Sequence, residues 1–135
     1  MESITYKEAR VVLEAALRRA EEIDCPMSVA IVDWGRNLLL FGRHETAKLG
    51  SIDVAVGKAY TARSLEMSTA DFAPLTQPGA PLFGVQATDS RLVAFGGGLP
   101  LTRGGAVVGA VGVSGGSVEM DIDCAEAAVK AFEAL

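Results

Sequence analysis

Leu99-Pro100-Leu101-Thr102-Arg103-Gly104-Gly105-Ala106-Val107-Val108-Gly109-Ala110-Val111-Gly112-Val113-Ser114-Gly115-Gly116-Ser117 is the stretch that decides the fold. Two apolar runs, 99–103 and 106–113, flank Gly104-Gly105. That pair is the signal of a tight hairpin, since both central positions of such a turn need positive φ. Hairpins pair their strands antiparallel, whereas parallel pairing needs a long crossover. Pro100 has no amide to donate to a ladder, which puts its strand at a sheet edge. Ser117 follows the second glycine pair as the N-cap of a closing helix, in which Val118, Ile122, Ala125, Val129 and Phe132 share one face.

Upstream of this stretch, residues 85–88 and 91–95 around Asp89-Ser90 read as another hairpin. Ser28 to Asp33 is a nearly unbroken apolar run of strand length, expected to be central and covered on both faces. Trp34-Gly35-Arg36 supplies a turn into a return strand over 37–41. Thr5 with Glu8 forms a capping box, and Ala9, Leu13, Ala16, Leu17 and Ala20 then recur as one buried helical stripe. Cys25-Pro26 ends that helix, because a residue before proline avoids the α region. Ser51 is expected to cap a second helix reaching about Glu66, with Ile52, Val56 and Ala59 as its core stripe. Residues 74–84 read as an ordered loop pinned by Leu75, Leu82 and Phe83. The whole is α+β: helices packed on an antiparallel sheet of roughly five strands, in one domain spanning 1–135.

With 12 Lys+Arg against 17 Asp+Glu, the chain has a net charge of −5 and an isoelectric point near 4.8. This balance argues against nucleic acid or an anionic membrane as partner. No apolar stretch approaches the roughly 18–20 residues that a bilayer requires, and no secretory signal follows Met1, so a cytoplasmic protein is expected. Cys25 and Cys124 stand far apart; the spacing leaves one disulfide open, and two separate thiols is the reading taken. Half the residues are hydrophobic and only 21% charged, from which a homo-oligomer is expected.

Among motifs that carry chemistry, Gly112-Val113-Ser114-Gly115-Gly116 matches the G-x-S-x-G nucleophile elbow but fails it. The sole histidine, His44, precedes the serine, and the chain is too short for that hydrolase sheet. The turn at 114–117 could cradle an anion, yet Glu119, Asp121 and Asp123 already complement the helix dipole there. One histidine without cysteine or histidine partners makes no zinc site; His44 is read as solvated, with an axial haem ligand or proton carrier as the other option. Lys58 stands among apolar and small neighbours, on a stripe with Ser51, Thr61 and Leu65. Either it pairs with an anionic ligand or a subunit carboxylate, or its stem merely covers apolar surface. Gly96-Gly97-Gly98 calls for a bulged turn or for a ligand passing over bare backbone.

Four segments in order carry a family resemblance. They are Val32-Asp33-x-Gly35 with Arg43; Lys58-Ala59-x-Thr61-Ala62; Gly96-Gly97-Gly98-Leu99-Pro100-Leu101; and Gly109-x-x-Gly112-Val113-Ser114-Gly115-Gly116 with Asp121. Together they resemble the GlcG/HbpS family, also found as the C-terminal part of some PduO-type proteins. The resemblance implies a PAS- or profilin-like domain that assembles into homo-oligomers, some members binding haem and others standing beside catabolic enzymes. It marks Lys58, Thr61 and Gly96, Gly97 and Gly98 as pocket residues. Arg43 also matches, although the usual Arg-x-Asp-Gly continuation is here Arg43-His44-Glu45-Thr46. The function expected is an accessory protein that binds a tetrapyrrole, haem or corrinoid, or a similar flat anion. Lys58 or Arg43 would pair a ligand carboxylate, with Phe83 and Phe95 flanking the flat face. The alternatives are a small enzyme that moves a proton on an organic acid, using Lys58, His44, Asp33 and Arg43, or a structural partner of a pathway enzyme.

Overall fold

The computed structural model describes residues 2–135. Its elements are α1 (Tyr6–Glu22), β1 (Ser28–Asp33), β2 (Leu38–Arg43), α2 (Ser51–Leu65), α3 (Thr69–Phe72), β3 (Gly98–Arg103), β4 (Ala106–Ser114) and α4 (Val118–Glu133). The strands form one antiparallel sheet in the order β2-β1-β4-β3. The α+β reading holds, with four strands where about five were expected.

The difference lies at residues 85–95. Asp89 accepts from the Arg91 amide at 3.1 Å and from the Tyr60 hydroxyl at 2.5 Å. Those bonds fold the segment back on itself behind a short 3₁₀ turn, Val85–Ala87, instead of letting it pair as a hairpin.

β1 is covered on both faces because its side chains alternate between two cores. Val29 and Ile31 pack with Val111, Val113 and the apolar stripes of α1 and α4. Ala30 and Val32 pack against Ala55, Ala59 and Ala62 of α2 on the other face. The sheet is thus a middle layer, with α1 and α4 on one side and α2 on the other. Small residues line the α2 side because helix and sheet approach closely there. A Cβ on Gly112 would stand 2.1 Å from the Ala55 carbonyl oxygen.

Local signals hold up at most helix ends. Thr5 and Glu8 form the capping box, and Ser117 accepts from the Met120 amide. Ser51 does not cap α2. Gly50 takes the cap position, and the Ser51 hydroxyl bonds Ser28 at 2.7 Å and the Lys48 carbonyl at 2.6 Å. Gly104 and Gly105 both take positive φ, 58° and 81°, as the β3–β4 hairpin requires.

Pro100 does sit on an edge strand, and that edge is closed off chemically. The Val113 amide donates to Gly97, so Gly98 and Pro100 turn their backbone polar groups outward. The Gly98 amide is taken by the Thr69 hydroxyl at 2.9 Å, and Pro100 has none. Among the described residues, no helix is long and apolar enough to cross a membrane. Both cysteines are free; Cys124 is buried, which pushes its thiol up to about 12, and Cys25 is half-buried.

Candidate functional site

α2 points Lys58 at the sheet, in the stripe it shares with Ser51 and Thr61. Ser51, Lys58 and Thr61 of that stripe are buried and Leu65 is half-buried, whereas the expected core stripe splits, with Ala59 buried and Ile52 and Val56 half-buried. The Lys58 stem runs past Gly112 to the end of β4. There Nζ donates to Asp121 Oδ2 at 2.7 Å and to the Val113 carbonyl at 2.9 Å, with none of its surface exposed. Asp121 projects from the first turn of α4, and its other oxygen accepts from the Gly116 amide at 3.0 Å. The Phe95 ring lies over the ammonium group at 5.0 Å. Because α2 and α4 occupy opposite faces, this ion pair ties the outer layers together around the sheet end. Burial pushes Lys58 down and Asp121 up, each toward its neutral form, while their contact opposes both shifts.

This arrangement explains the triple glycine. Gly97 has φ +127°, and a Cβ there would stand 2.6 Å from Lys58 Nζ. A Cβ on Gly98 would meet the Lys58 carbonyl at 2.5 Å and Thr69 Cγ2 at 2.7 Å; one on Gly96 would meet Ile122 at 2.6 Å. Bare backbone is squeezed between α2, α3 and α4. Lys58 does face the glycine main chain, but the two are in contact and leave no hollow between them.

A groove opens on the α4 side of the same strip. It measures about 390 Å³ and has Gly97, Gly98, Leu99, Ile122 and Val129 as its bed. Glu126, Lys130 and Glu133 stand along its rim. Such a volume is in the range of small-molecule pockets. Sequence reasoning did not pick out Ile122, Glu126, Val129, Lys130 and Glu133 as a set. Their helical spacing beside the glycine strip was the available signal.

The other candidates lie apart from this groove or are engaged within the chain. The Thr61 hydroxyl donates to the Gly57 carbonyl at 2.7 Å and accepts from the Val93 amide at 2.9 Å. Arg43 spends its guanidinium on the carbonyls of His44, Glu45 and Ala47, closing the turn after β2. His44 accepts from the Met27 amide through Nδ1 at 3.1 Å, while its Nε2 is buried without a hydrogen-bond partner. It lines a separate hollow of about 150 Å³ with Glu21, Asp24 and Glu45. Asp33 accepts from the amides of Gly35 and Asn37, organising its own turn. Phe83, in the loop after α3, is 63% exposed.

Fold and groove together define a three-layer α+β domain with an open groove beside its glycine strip. The comparisons then give the family. The family model described as haem degrading protein HbpS-like matches residues 4–130, and the chain belongs to that family. It is 44% identical over 134 residues to an uncharacterized 15.0 kDa protein in the dhaT-dhaS intergenic region of Citrobacter freundii, covering 98% of this chain and 94% of that one. It is 38% identical over 131 residues to the corrinoid adenosyltransferase PduO of the same organism, covering 96% of this chain but only 39% of that protein. Among solved structures, Klebsiella pneumoniae ORFY superposes with a TM-score of 0.98 at 40% identity, covering 100% of this chain and 94% of that one. The PduOC:heme complex gives 0.92 at 35%, covering 96% and 94% respectively. A double mutant of Streptomyces reticuli HbpS gives 0.88 at 30%, covering 96% and 87%.

Proposed function

We propose that this chain is an accessory protein that binds a tetrapyrrole, haem or a corrinoid, along the groove between the glycine strip and α4. The observation that carries the reading is the groove itself, an apolar bed over bare backbone whose rim carries Lys130 alongside Glu126 and Glu133. The family's description and relatives whose structures or names involve haem or corrinoids support it. Gly97, Gly98, Leu99, Ile122 and Val129 would take the flat face, and Lys130 would pair a ligand carboxylate. Phe95, 44% exposed at the head of the strip, would extend the apolar wall.

The residues fit the macrocycle's face better than its metal. Among the described residues, no imidazole or thiolate lines the groove. His44 stands outside the groove, with Nδ1 accepting from the Met27 amide and Nε2 3.6 Å from Glu21. Bound haem would supply redox and oxygen chemistry; the chain's own part is to hold the ring by shape and charge.

Titrating haem and cob(II)alamin separately into purified protein tests this. Saturable spectral change at one ligand per chain is expected, abolished by Val129→Glu and retained by His44→Ala. A non-saturating change, or one that Val129→Glu leaves intact, overturns the reading.

The alternative, proton transfer on an organic acid, rests on the Lys58–Asp121 contact at 2.7 Å, a proton donor and acceptor side by side, with none of the lysine exposed. Deuterium exchange of candidate acids, followed by NMR in D₂O, would reveal it. Exchange that Lys58→Met abolishes while the variant stays folded favours this reading. A homo-oligomer belongs to the same proposal, with exposed Leu49 and Phe83 as candidate contact residues. A monomer mass by light scattering at micromolar concentration overturns that part.

A further inference from the structure

The turn from β1 to β2 lies at the opposite end of β1 from the Lys58 cluster. Trp34, Gly35 and Arg36 of the turn, with Arg63 and Ser64 of α2, surround a hollow of about 310 Å³. Two guanidinium groups therefore line one small cavity.

Arg36 is held in place by neutral groups, and Arg63 by a carbonyl, an indole and the exposed Glu66. Arg36 donates to the Tyr60 hydroxyl at 2.9 Å and to Ser64 Oγ at 3.4 Å, and its guanidinium stacks 4.9 Å from the Tyr60 ring centre. Arg63 donates through Nε to the Trp34 carbonyl at 2.6 Å and stacks 5.1 Å from the indole. The nearby carboxylates are mostly spoken for. Asp33 accepts from the amides of its own turn, and Asp89 from Tyr60 and Arg91. Glu66 touches Arg63 at 3.5 Å from an exposed position on the rim. Nε and Nη2 of Arg36 and Nη2 of Arg63 are thus left over, in a chain whose net charge is −5.

The backbone adds an independent sign. The Arg36 amide donates to the Asp33 carbonyl at 3.1 Å, and the Asp33 amide to the Asn37 carbonyl at 3.0 Å, closing a three-residue turn. Arg36 closes it in the left-handed region, at φ +69°. In turns of this kind that position favours glycine. Here the glycine stands one residue earlier, at Gly35, and does not take positive φ. A non-glycine residue in that region carries a steric cost, and Arg36 bears it beside the hollow.

We propose that this hollow binds a small oxyanion, clamped between Arg36 and Arg63, with the Ser64 hydroxyl as a further donor and the indole of Trp34 as one wall. Guanidinium groups present paired N–H donors that match the oxygens of a phosphate or a carboxylate. The site is independent of the tetrapyrrole groove and rests on different residues.

Trp34 is the sole tryptophan, which makes its emission a reporter for this cavity. Inorganic phosphate and malonate, titrated separately at constant ionic strength, distinguish the two sources of such oxygens. Saturable change with either one supports the site and identifies which acid it prefers. Arg36→Asn keeps a residue that tolerates left-handed φ while removing the clamp, and Arg63→Gln removes the other arm. Each should weaken binding by about tenfold or more, as expected for loss of a charge-assisted contact, with melting temperature nearly unchanged. Arg18→Gln, remote on α1, controls for net charge and should leave affinity unaltered. A change that never saturates, that chloride reproduces, or that both cavity variants retain at wild-type affinity overturns the proposal.

Discussion

The two cationic sites along α2 differ in where their charge is answered. Lys58 finds its counterion inside the chain, at Asp121, and is sealed from solvent. Arg36 and Arg63, at the turn end, lean on hydroxyls, a carbonyl and aromatic faces, with only the exposed Glu66 as a carboxylate partner, on Arg63. From sequence, the lone lysine in an apolar helix is the more conspicuous of the two. The folded chain assigns it to holding layers together and leaves the less conspicuous arginines with donors to spare. An isolated charge signals a partner, and only the fold tells whether that partner is internal.

The sharpest way to break this contrast is to remove each cation in turn. Lys58→Met strands a buried carboxylate and should cost about 3–5 kcal/mol of stability, measured by urea unfolding. Adding Asp121→Leu should recover much of that loss; a double variant as weak as the sum of the singles would contradict the pairing. Gly98→Ala drives a methyl group into the Lys58 carbonyl and should cost roughly 1–3 kcal/mol by overpacking. Thr69→Val leaves the Gly98 amide without its acceptor, a loss of about 1–2 kcal/mol by the same measurement. At the turn end, Arg63→Gln should cost about 1 kcal/mol or less, because an edge guanidinium contributes little to folding.

The smallest effect is one of pH. Asp89 is held at about 2, below its ordinary 3.8, by the Tyr60 hydroxyl and then by Arg91. Its stabilising contribution is therefore complete above pH 3.8 and is lost as pH falls toward 2. The unfolding midpoint should drop across that interval, and Asp89→Asn should flatten the drop. An identical slope in both proteins would show that Asp89 is not responsible.

Sequence reasoning found what is local. Thr5 with Glu8, Gly104 with Gly105, Ser117, and the alternation of Val29 and Ile31 with Ala30 and Val32 all act through near neighbours or a simple period. It went astray where distant contacts decide. Asp89-Ser90 has the length of a hairpin turn, yet Tyr60 captures the aspartate and no strand forms. The α2 core stripe was legible in part: Ala59 is buried as expected, but Ala55 and Ala62, which bury little apolar area each and give a weak signal, stand where Ile52 and Val56 were expected. The Lys58 stripe was legible from helical spacing, but nothing local connects it to a carboxylate 63 residues away. The glycine strip was legible as an anomaly, and its cause lies in three helices that converge on it.

The closed edge of β3 also bears on how copies of this chain can meet. Thr69 occupies the one outward amide near the glycines, and Pro100 supplies none, so a neighbouring backbone finds no run of donors to zip onto. Growth of the sheet from molecule to molecule is blocked at this margin. Any assembly formed at this edge is then held by side chains rather than by an extended backbone ladder.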